Sequence, residues 1–505
     1  MKNALRFLKA NFLPISVFVF IFVGLFVRDI HLFNVLFYDW DESMYAQIAR
    51  EMIKSKSLIT TFNGEIWFDK PPLAHLVIAI IFMLFGESEF YSRLLFVFLS
   101  ITLLVFVYLL TKKVIEEIFQ KEIKNNKKFI NQITYLLPVF VISSANIFID
   151  RATLLNTDTI IAVTWVGYLL FIDNYKIKGI MLVIGVWSKS VFGYYPLIID
   201  IFRLRRRNIT FKNVVKYVGL FAISSLWYLY GFLYSGSYFL DAHFLGQVLK
   251  RVGTPIELHD GGKYYYFIYL WKDIGILNIL IFLGFVLIGL DVLKNLKAKK
   301  LFFLKSSKFI NYLILLSSIP FLVLLTFSKT KIYWYIEIIL PLLSLPIAYL
   351  FISAKNRVIK FIIASVVIVF FLISFVSQTY LLQIKYTLNE RQSMALCSNK
   401  LSGSVIGVLV DEEERKVQNV LLAAHYDTPS SFYYGGSPSY VYYVQKRVKF
   451  FYNVEEFEKN LSNFSLLSLS TKDLEKNATL KNKMESEYTT MCTTENLVTY
   501  QKKSK

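Results

Sequence analysis

Long apolar runs fill roughly the first 380 positions of the chain, and short alternating ones follow. A helix needs about 20 apolar residues to cross a bilayer. The runs place spans near 12–30, 90–111, 130–150, 157–173, 178–188, 190–202, 213–235, 273–293, 309–327, 332–353 and 357–380. The fifth and sixth are short and read as a pair of abbreviated or tilted helices. The run "LAHLVIAIIFMLFG" at 73–86 is shorter than a span and reads as re-entrant or interfacial.

Two stretches change period. From Tyr45, apolar residues fall at Tyr45, Ile48, Ala49, Met52 and Ile53, the spacing of a helix lying on a membrane surface. Gln47, Arg50, Glu51 and Lys54 then face water. Beyond 381, "SVIGVLV" (404–410) reads as a buried strand and "EEERKVQNVLLAAHY" (412–426) as an amphipathic helix. "YVYYVQKRVKFFY" (440–452) and "NFSLLSLS" (463–470) suggest further strands around a helix "VEEFEKNL" (454–461). The expected fold is mostly α: a polytopic membrane domain over 1–381 with about eleven spans and interfacial helices in its first outer loop. A small exported α/β domain follows over 382–505.

Composition agrees with a membrane protein. The 505 residues are 55% hydrophobic and 17% aromatic, with a net charge of +20. The basic residues sit in short segments between spans, so they read as topology signals and not as a nucleic-acid surface. With the N-terminus inside, the inner loops are "KKVIEEIFQKEIKNNKK", "DNYKIK", "RLRRRNITFK", "KNLKAKKLFFLKSSK" and "AKNRVIK", all basic. Counting 73–86 as a span would put them outside. The first run is long and lacks a small-residue cleavage site, so it reads as a retained helix. Cys397 and Cys492, the only cysteines, both lie in the exported part and could pair.

This topology gathers Asp39, Asp41, Glu42, Asp69, Lys70, Arg93, Arg151, Asp158, Lys189, Asp241, His243, Arg251, His259, Lys329, Lys331 and Tyr333 on the outer side. Ionisable groups at a bilayer are costly and mark function. A polar cavity opening outward is the simplest arrangement. In "YDWDESMYAQIAREM" (38–52), Asp41 sits where it could cap the helix or act as a general base just outside the lipid. In "NGEIWFDKPPLAHL" (63–76), Asn63-Gly64 makes a tight turn and Pro71-Pro72 stiffens the chain behind Lys70. Lys70 could snorkel beside Asp69 or hold a phosphate as a point charge. Arg151 and Asp158 mark an outer turn, and Lys189 falls between two short helices. Asp241 and His243 could ligate a metal, although structural zinc normally takes four ligands. Tyr264, Tyr265 and Tyr266 suit an interface belt or the floor under a sugar ring. Lys329, Lys331 and Tyr333 open a span on the side where cationic anchors are uncommon. "EKNLS" (458–462) and "EKNAT" (475–479) match an acidic N-glycosylation pattern, a short motif.

"DESMYAQIAREM", "NGEIWFDKPPLAHL" and "GESEFYSRLL" (86–95) together resemble the start of GT-C fold membrane glycosyltransferases. The nearest group is the dolichyl-phosphate-mannose-protein mannosyltransferase-like one, which includes the bacterial aminoarabinose transferase that modifies lipid A. The resemblance continues through "SKS" (188–190), His243, His259 and "SKTKIYWYIEIILPL". It implies Asp41 of the Asp41-Glu42 pair as the base, Lys70 on the lipid phosphate, and Tyr333 after the Ser-Lys block. It offers Asp69 and His243 as zinc ligands. Relatives often carry Glu where Asp69 stands and Gly where Ser190 stands, and Arg251 is the nearest arginine after His243.

The function so implied is transfer of a sugar from a polyprenyl-phosphate donor to a lipid, glycan or protein at the outer face of the cytoplasmic membrane. Inversion at the sugar is expected. The leaving phosphate is already anionic, so cations suffice: Lys70, Lys189, Arg251, Lys329 and Lys331 are candidates, with Asp158 and His259 further cavity residues. No cofactor beyond a possible zinc ion, and no nucleic acid, is expected. A lipid-linked sugar flippase would also need many spans. It would place ionisable groups near mid-bilayer and show repeat symmetry, and the sequence has neither.

Overall fold

The computed structural model describes residues 9–32, 35–206, 210–253, 259–304, 306–381, 388–413 and 437–503, with positions 6, 255, 415 and 416. The chain divides into two units, one of Met1–Asn34, Phe90–Tyr230 and Asp260–Ile384, the other of Val35–Glu89, Gly231–His259 and Lys385–Lys505.

The first unit is helical because its apolar runs leave no polar partner for the backbone except itself. Among the described residues, seven helices are long and apolar enough to cross a membrane: Phe12–His31, Glu89–Ile118, Tyr175–Tyr194, Leu277–Ala298, Ser307–Phe327, Tyr335–Ser353 and Arg357–Leu381. Phe211–Ser224 and Leu226–Ser235 form a further pair bent by 44°. The runs expected at 130–150, 157–173 and 190–202 fold as Lys128–Ser144, Thr157–Leu170 and Leu197–Arg206, of 17, 14 and 10 residues. Phe327 and Phe361 are 75% and 73% exposed, which suits a lipid-facing surface and no watery one.

The expected break between 188 and 190 is real but slight. Ser190 takes φ 58° after the helix Tyr175–Lys189, and a 3-10 turn follows over Ser190–Tyr194. Gly193 permits it: a Cβ there would lie 2.3 Å from the Val186 backbone nitrogen. Lys189 thus ends a helix. Arg93 is fully buried and donates to the Leu32 carbonyl at 3.0 Å, a cation at the C-terminal end of the first helix.

The second unit joins the segment after the first long helix to the C-terminal sequence. Its first element is the helix Asp41–Ser55. The hairpin of β1 (Thr61–Phe62) and β2 (Glu65–Ile66) turns at Asn63 and Gly64, φ 55° and 79°. Positive φ at both turn residues matches the right-handed twist of a hairpin. The helix Leu73–Phe85 is short, as its sequence implies. The sheet comprises β3 (Val405–Leu409), β4 (Arg447–Phe451), β5 (Leu466–Ser470), β6 (Tyr488–Thr493) and β7 (Leu497–Lys502). Its order is β4-β3-β5-β7-β6, with β3 parallel to both neighbours and β7 antiparallel to both of its own. Leu409, Phe451, Leu467, Leu469 and Met484 build its core.

Edge strand β4 is covered by the hairpin turn. The Asn63 side chain donates to the Val448 carbonyl at 2.7 Å and accepts its N–H at 2.9 Å, as another strand would. Cys397 and Cys492 are joined, Cα atoms 6.2 Å apart, linking the helix Glu390–Asn399 to β6.

Several local expectations need correcting. "YVYYV" is not a strand: Pro438 opens a helix, Pro438–Val444, because proline suits a first helical turn, and the strand begins at Arg447. The helix expected over 412–426 lies outside the described residues beyond 416. Gln47 and Arg50 do not face water. Both are buried, and the Arg50 guanidinium donates to Glu87 at 2.5 Å and to the Tyr442 carbonyl at 2.6 Å while lying 3.9 Å from the Tyr442 ring centre. The unit lays a second layer over that helix face, which a surface pattern does not foresee.

Candidate active site

The helix Asp41–Ser55 starts on a sharp backbone reversal. Trp40 precedes it with φ 67° and ψ −115°. Glu42 reaches back and accepts the Tyr38 N–H at 3.0 Å, while the Ser43 hydroxyl donates to the Tyr38 carbonyl at 2.6 Å. These bonds occupy Glu42, which is buried, in starting the helix. Asp41 is the first residue of the helix and not its N-cap, so the capping alternative does not describe it. Asp41 faces a cation.

That cation is Lys70. Its Nζ lies 3.7 Å from Asp41 Oδ1 and donates to the Tyr45 hydroxyl. The side chains of Lys70 and Asp41 are 26% and 31% exposed, so both are accessible from outside. Tyr45 stands one helical turn beyond Asp41 and therefore on the same face. Lys70 lies 4.8 Å from the centre of its ring. Pro72 is the N-cap of the helix Leu73–Phe85, which fixes where the lysine enters.

His75 completes the support. It is fully buried, edge-on to Tyr45 at 4.9 Å and to Trp67 at 5.2 Å. Burial, and next the Lys70 charge, pull its pKa down to about 3 against the pull of Asp41. The ring is neutral and acts as packing behind Tyr45. Sequence reasoning placed Tyr45 on an apolar face and passed over His75. Its signal was a histidine three residues after Pro72, in the first turn of an otherwise apolar helix.

Asp39, two residues upstream, is held by the C-terminal sequence. It accepts the Ser439 N–H at 2.8 Å, the Asn389 amide at 3.1 Å and the Ser437 hydroxyl at 3.3 Å.

The expected metal pair includes His243, which is buried. His243 Nδ1 sits 2.7 Å from the Phe68 carbonyl, and its ring stacks on Phe239 at 5.5 Å. Burial lowers its pKa to about 4, opposed by the Phe68 bond. Among the described residues no three His, Cys, Asp or Glu side chains are grouped to hold an ion. Arg251 donates from Nε to Gln247 at 3.0 Å, and His259 lies half-buried in a loop.

The remaining candidates belong to the first unit. Asp158 is buried and takes the Lys189 ammonium on one oxygen and Arg151 at 2.9 Å on the other. Arg151 also meets Glu337 at 2.5 Å, and Glu337 accepts the Thr159 hydroxyl at 2.5 Å. Two cations thus balance two anions, and Lys189 is an ion-pair partner, not an uncompensated charge. Lys331 is buried and caps the helix before it, donating to the Leu325 and Thr326 carbonyls at 2.9 and 2.7 Å. Burial, then Lys329, lowers its pKa. Lys329 is exposed, and Tyr333, also exposed, stacks on Tyr269 at 5.3 Å.

No protein-family model matches the chain. An uncharacterized protein of Aquifex aeolicus (strain VF5) is 23% identical over 343 residues, 68% of this chain and 73% of that one. An undecaprenyl phosphate-alpha-4-amino-4-deoxy-L-arabinose arabinosyl transferase of Shewanella sediminis (strain HAW-EB3) is 46% identical over 54 residues, 10% of each chain. The crystal structure of ArnT from Cupriavidus metallidurans bound to undecaprenyl phosphate matches with a TM-score of 0.64 at 13% identity, covering 96% of this chain and 97% of that one. The chain therefore has the fold of ArnT over nearly its whole length.

Proposed function

We propose that the protein is a membrane glycosyltransferase that moves a sugar, pentose or hexose, from a polyprenyl-phosphate donor to a hydroxyl of a lipid, glycan or protein acceptor. The observation that carries this reading is the Asp41–Lys70–Tyr45 group, a carboxylate, an ammonium and a phenol converging on one helix face. The ArnT fold supports it, because that protein was crystallised with undecaprenyl phosphate.

The donor phosphate takes hydrogen bonds from Lys70 and Tyr45. As it draws the ammonium, Asp41 is released to accept the proton of the acceptor hydroxyl. The acceptor oxygen bonds to the anomeric carbon as the bond to phosphate breaks, and polyprenyl phosphate leaves with the electron pair. A single displacement from the opposite face inverts the sugar. Half-buried Arg251 of the same unit is a further candidate for phosphate contact.

We place this chemistry on the outer side of the cytoplasmic membrane. We take the seven long helices, the bent pair and the shorter helices Lys128–Ser144, Thr157–Leu170 and Leu197–Arg206 as the eleven spans expected from the sequence. With basic loops inside, the sequence after 381 is exported, where a disulfide such as Cys397–Cys492 persists. The test is mass spectrometry of envelope lipids and glycans from a deletion strain restored with the wild type or Asp41→Asn. One sugar mass returning with the wild type only is the expected result; its return with Asp41→Asn removes Asp41 from the reaction.

A further inference from the structure

The exported sequence holds the backbone from which Asp41 starts. Trp40 adopts a positive φ that a bulky residue takes only when its surroundings impose it. Bonds on its N-terminal side supply the constraint. The Phe37 N–H donates to the Tyr443 hydroxyl at 2.5 Å, and Tyr443 donates to Glu89 at 2.8 Å. The Phe37 carbonyl accepts from Gln392 at 2.9 Å. Asp39 accepts from Ser439, Asn389 and Ser437. Every donor to Asp39 and both of these partners of Phe37 come from residues 389–443. Helix-start bonds from Glu42 and Ser43 constrain the other side.

We propose that Asp39 is a positioning residue: clamped by the segments at 389 and 437–439, it forces the strained turn at Trp40 and so aims the Asp41 carboxylate at Lys70. The exported domain then serves catalysis as the seat of the Asp41 helix. This rests on the glycosyl-transfer reading above. A misplacement of about 1 Å costs up to about 100-fold in rate, so the clamp matters without touching substrate.

The full-length protein in lipid nanodiscs is compared as wild type, Asp39→Ala and Asp39→Asn. Donor lipid extracted from the deletion strain's own membranes serves as substrate. Asparagine keeps an oxygen for the Ser439 N–H, and alanine keeps none. The expected result is a kcat lowered about tenfold or more in Asp39→Ala with donor KM within about twofold, and partial recovery in Asp39→Asn. Hydrogen exchange of amides 41–48 should quicken in Asp39→Ala and less in Asp39→Asn. Unchanged kcat, or lost kcat with unchanged exchange, overturns the proposal. Should Asp39→Ala fail to accumulate, Ser437→Ala, which removes one bond, is read the same way. Absence of sugar transfer by the wild type would instead sink the glycosyl-transfer reading, and the exchange result would still report on the clamp.

Discussion

Lys70 Nζ and Asp41 Oδ1 stand 3.7 Å apart, beyond hydrogen-bond length but within reach of mutual attraction. The lysine is anchored instead on Tyr45. An ion pair this loose costs little to open, which is what a carboxylate needs if it is to be exchanged for a phosphate.

Removing either charge should therefore affect turnover and not folding. Lys70→Met should lower kcat/KM about 100-fold or more, the scale seen when one donor to developing charge is lost. Asp41→Asn should do at least as much through kcat alone. Because the two groups act in one step, the double variant should be little worse than the poorer single. Steady-state kinetics with donor and acceptor lipids gives the comparison; strictly multiplicative losses would show that the residues act apart.

The buried group around Asp158 behaves differently. Arg151 and Lys189 neutralise Asp158 and Glu337 with little water present. Deleting one member leaves a buried charge unpaired, a loss on the order of 3–5 kcal/mol. Lys189→Met should accumulate poorly or melt early, and Lys189→Met/Asp158→Asn should recover much of that loss. Thermal unfolding in detergent separates the two. Equal melting of the single and double variants would mean that the ion pair contributes nothing to folding.

Legibility in the sequence followed range of interaction. Apolar run length gave the helices, since lipid forces backbone bonds within each segment. Asn63-Gly64 announced its turn because both residues tolerate positive φ. The Asp41 and Lys70 candidates came from a resemblance and from local chemistry. What stayed hidden depends on partners far along the chain. Arg50 was read as solvated because its partner Tyr442 lies 392 residues away. Asp39 had no visible task until Ser439 was opposite it. Lys331 looked like a phosphate cation because nothing local tells of the carbonyls it caps.

Acid should weaken the second unit. His75 and His243 have pKa values lowered to about 3 and about 4 by burial, against 6.5 when unfolded. A depressed imidazole keeps its stabilising effect above 6.5 and loses it as pH falls toward the folded value, because the unfolded chain binds the extra proton. At pH 5 each costs about 2 kcal/mol relative to neutral pH. The thermal midpoint should drop between pH 7 and 5, and His75→Phe, which keeps a ring between Tyr45 and Trp67, should flatten that drop. An unchanged slope in His75→Phe would mean that the ring titrates normally.

The disulfide offers a check on both compartment and stability. Cys397 and Cys492 are 95 residues apart and tie a helix to β6, so the bond closes a long loop across the sheet domain. Closing a loop of that length restricts the unfolded chain, and losing such a bond typically costs about 2–5 kcal/mol. Cys397→Ser and Cys492→Ser should each lower the thermal midpoint by a similar amount, and the double variant by no more than either, since all three lack the same bond. Non-reducing electrophoresis of protein alkylated before lysis should show no free thiol in the wild type. A wild-type chain that alkylates fully would place this segment in a reducing compartment and overturn the outward orientation on which the reaction scheme depends.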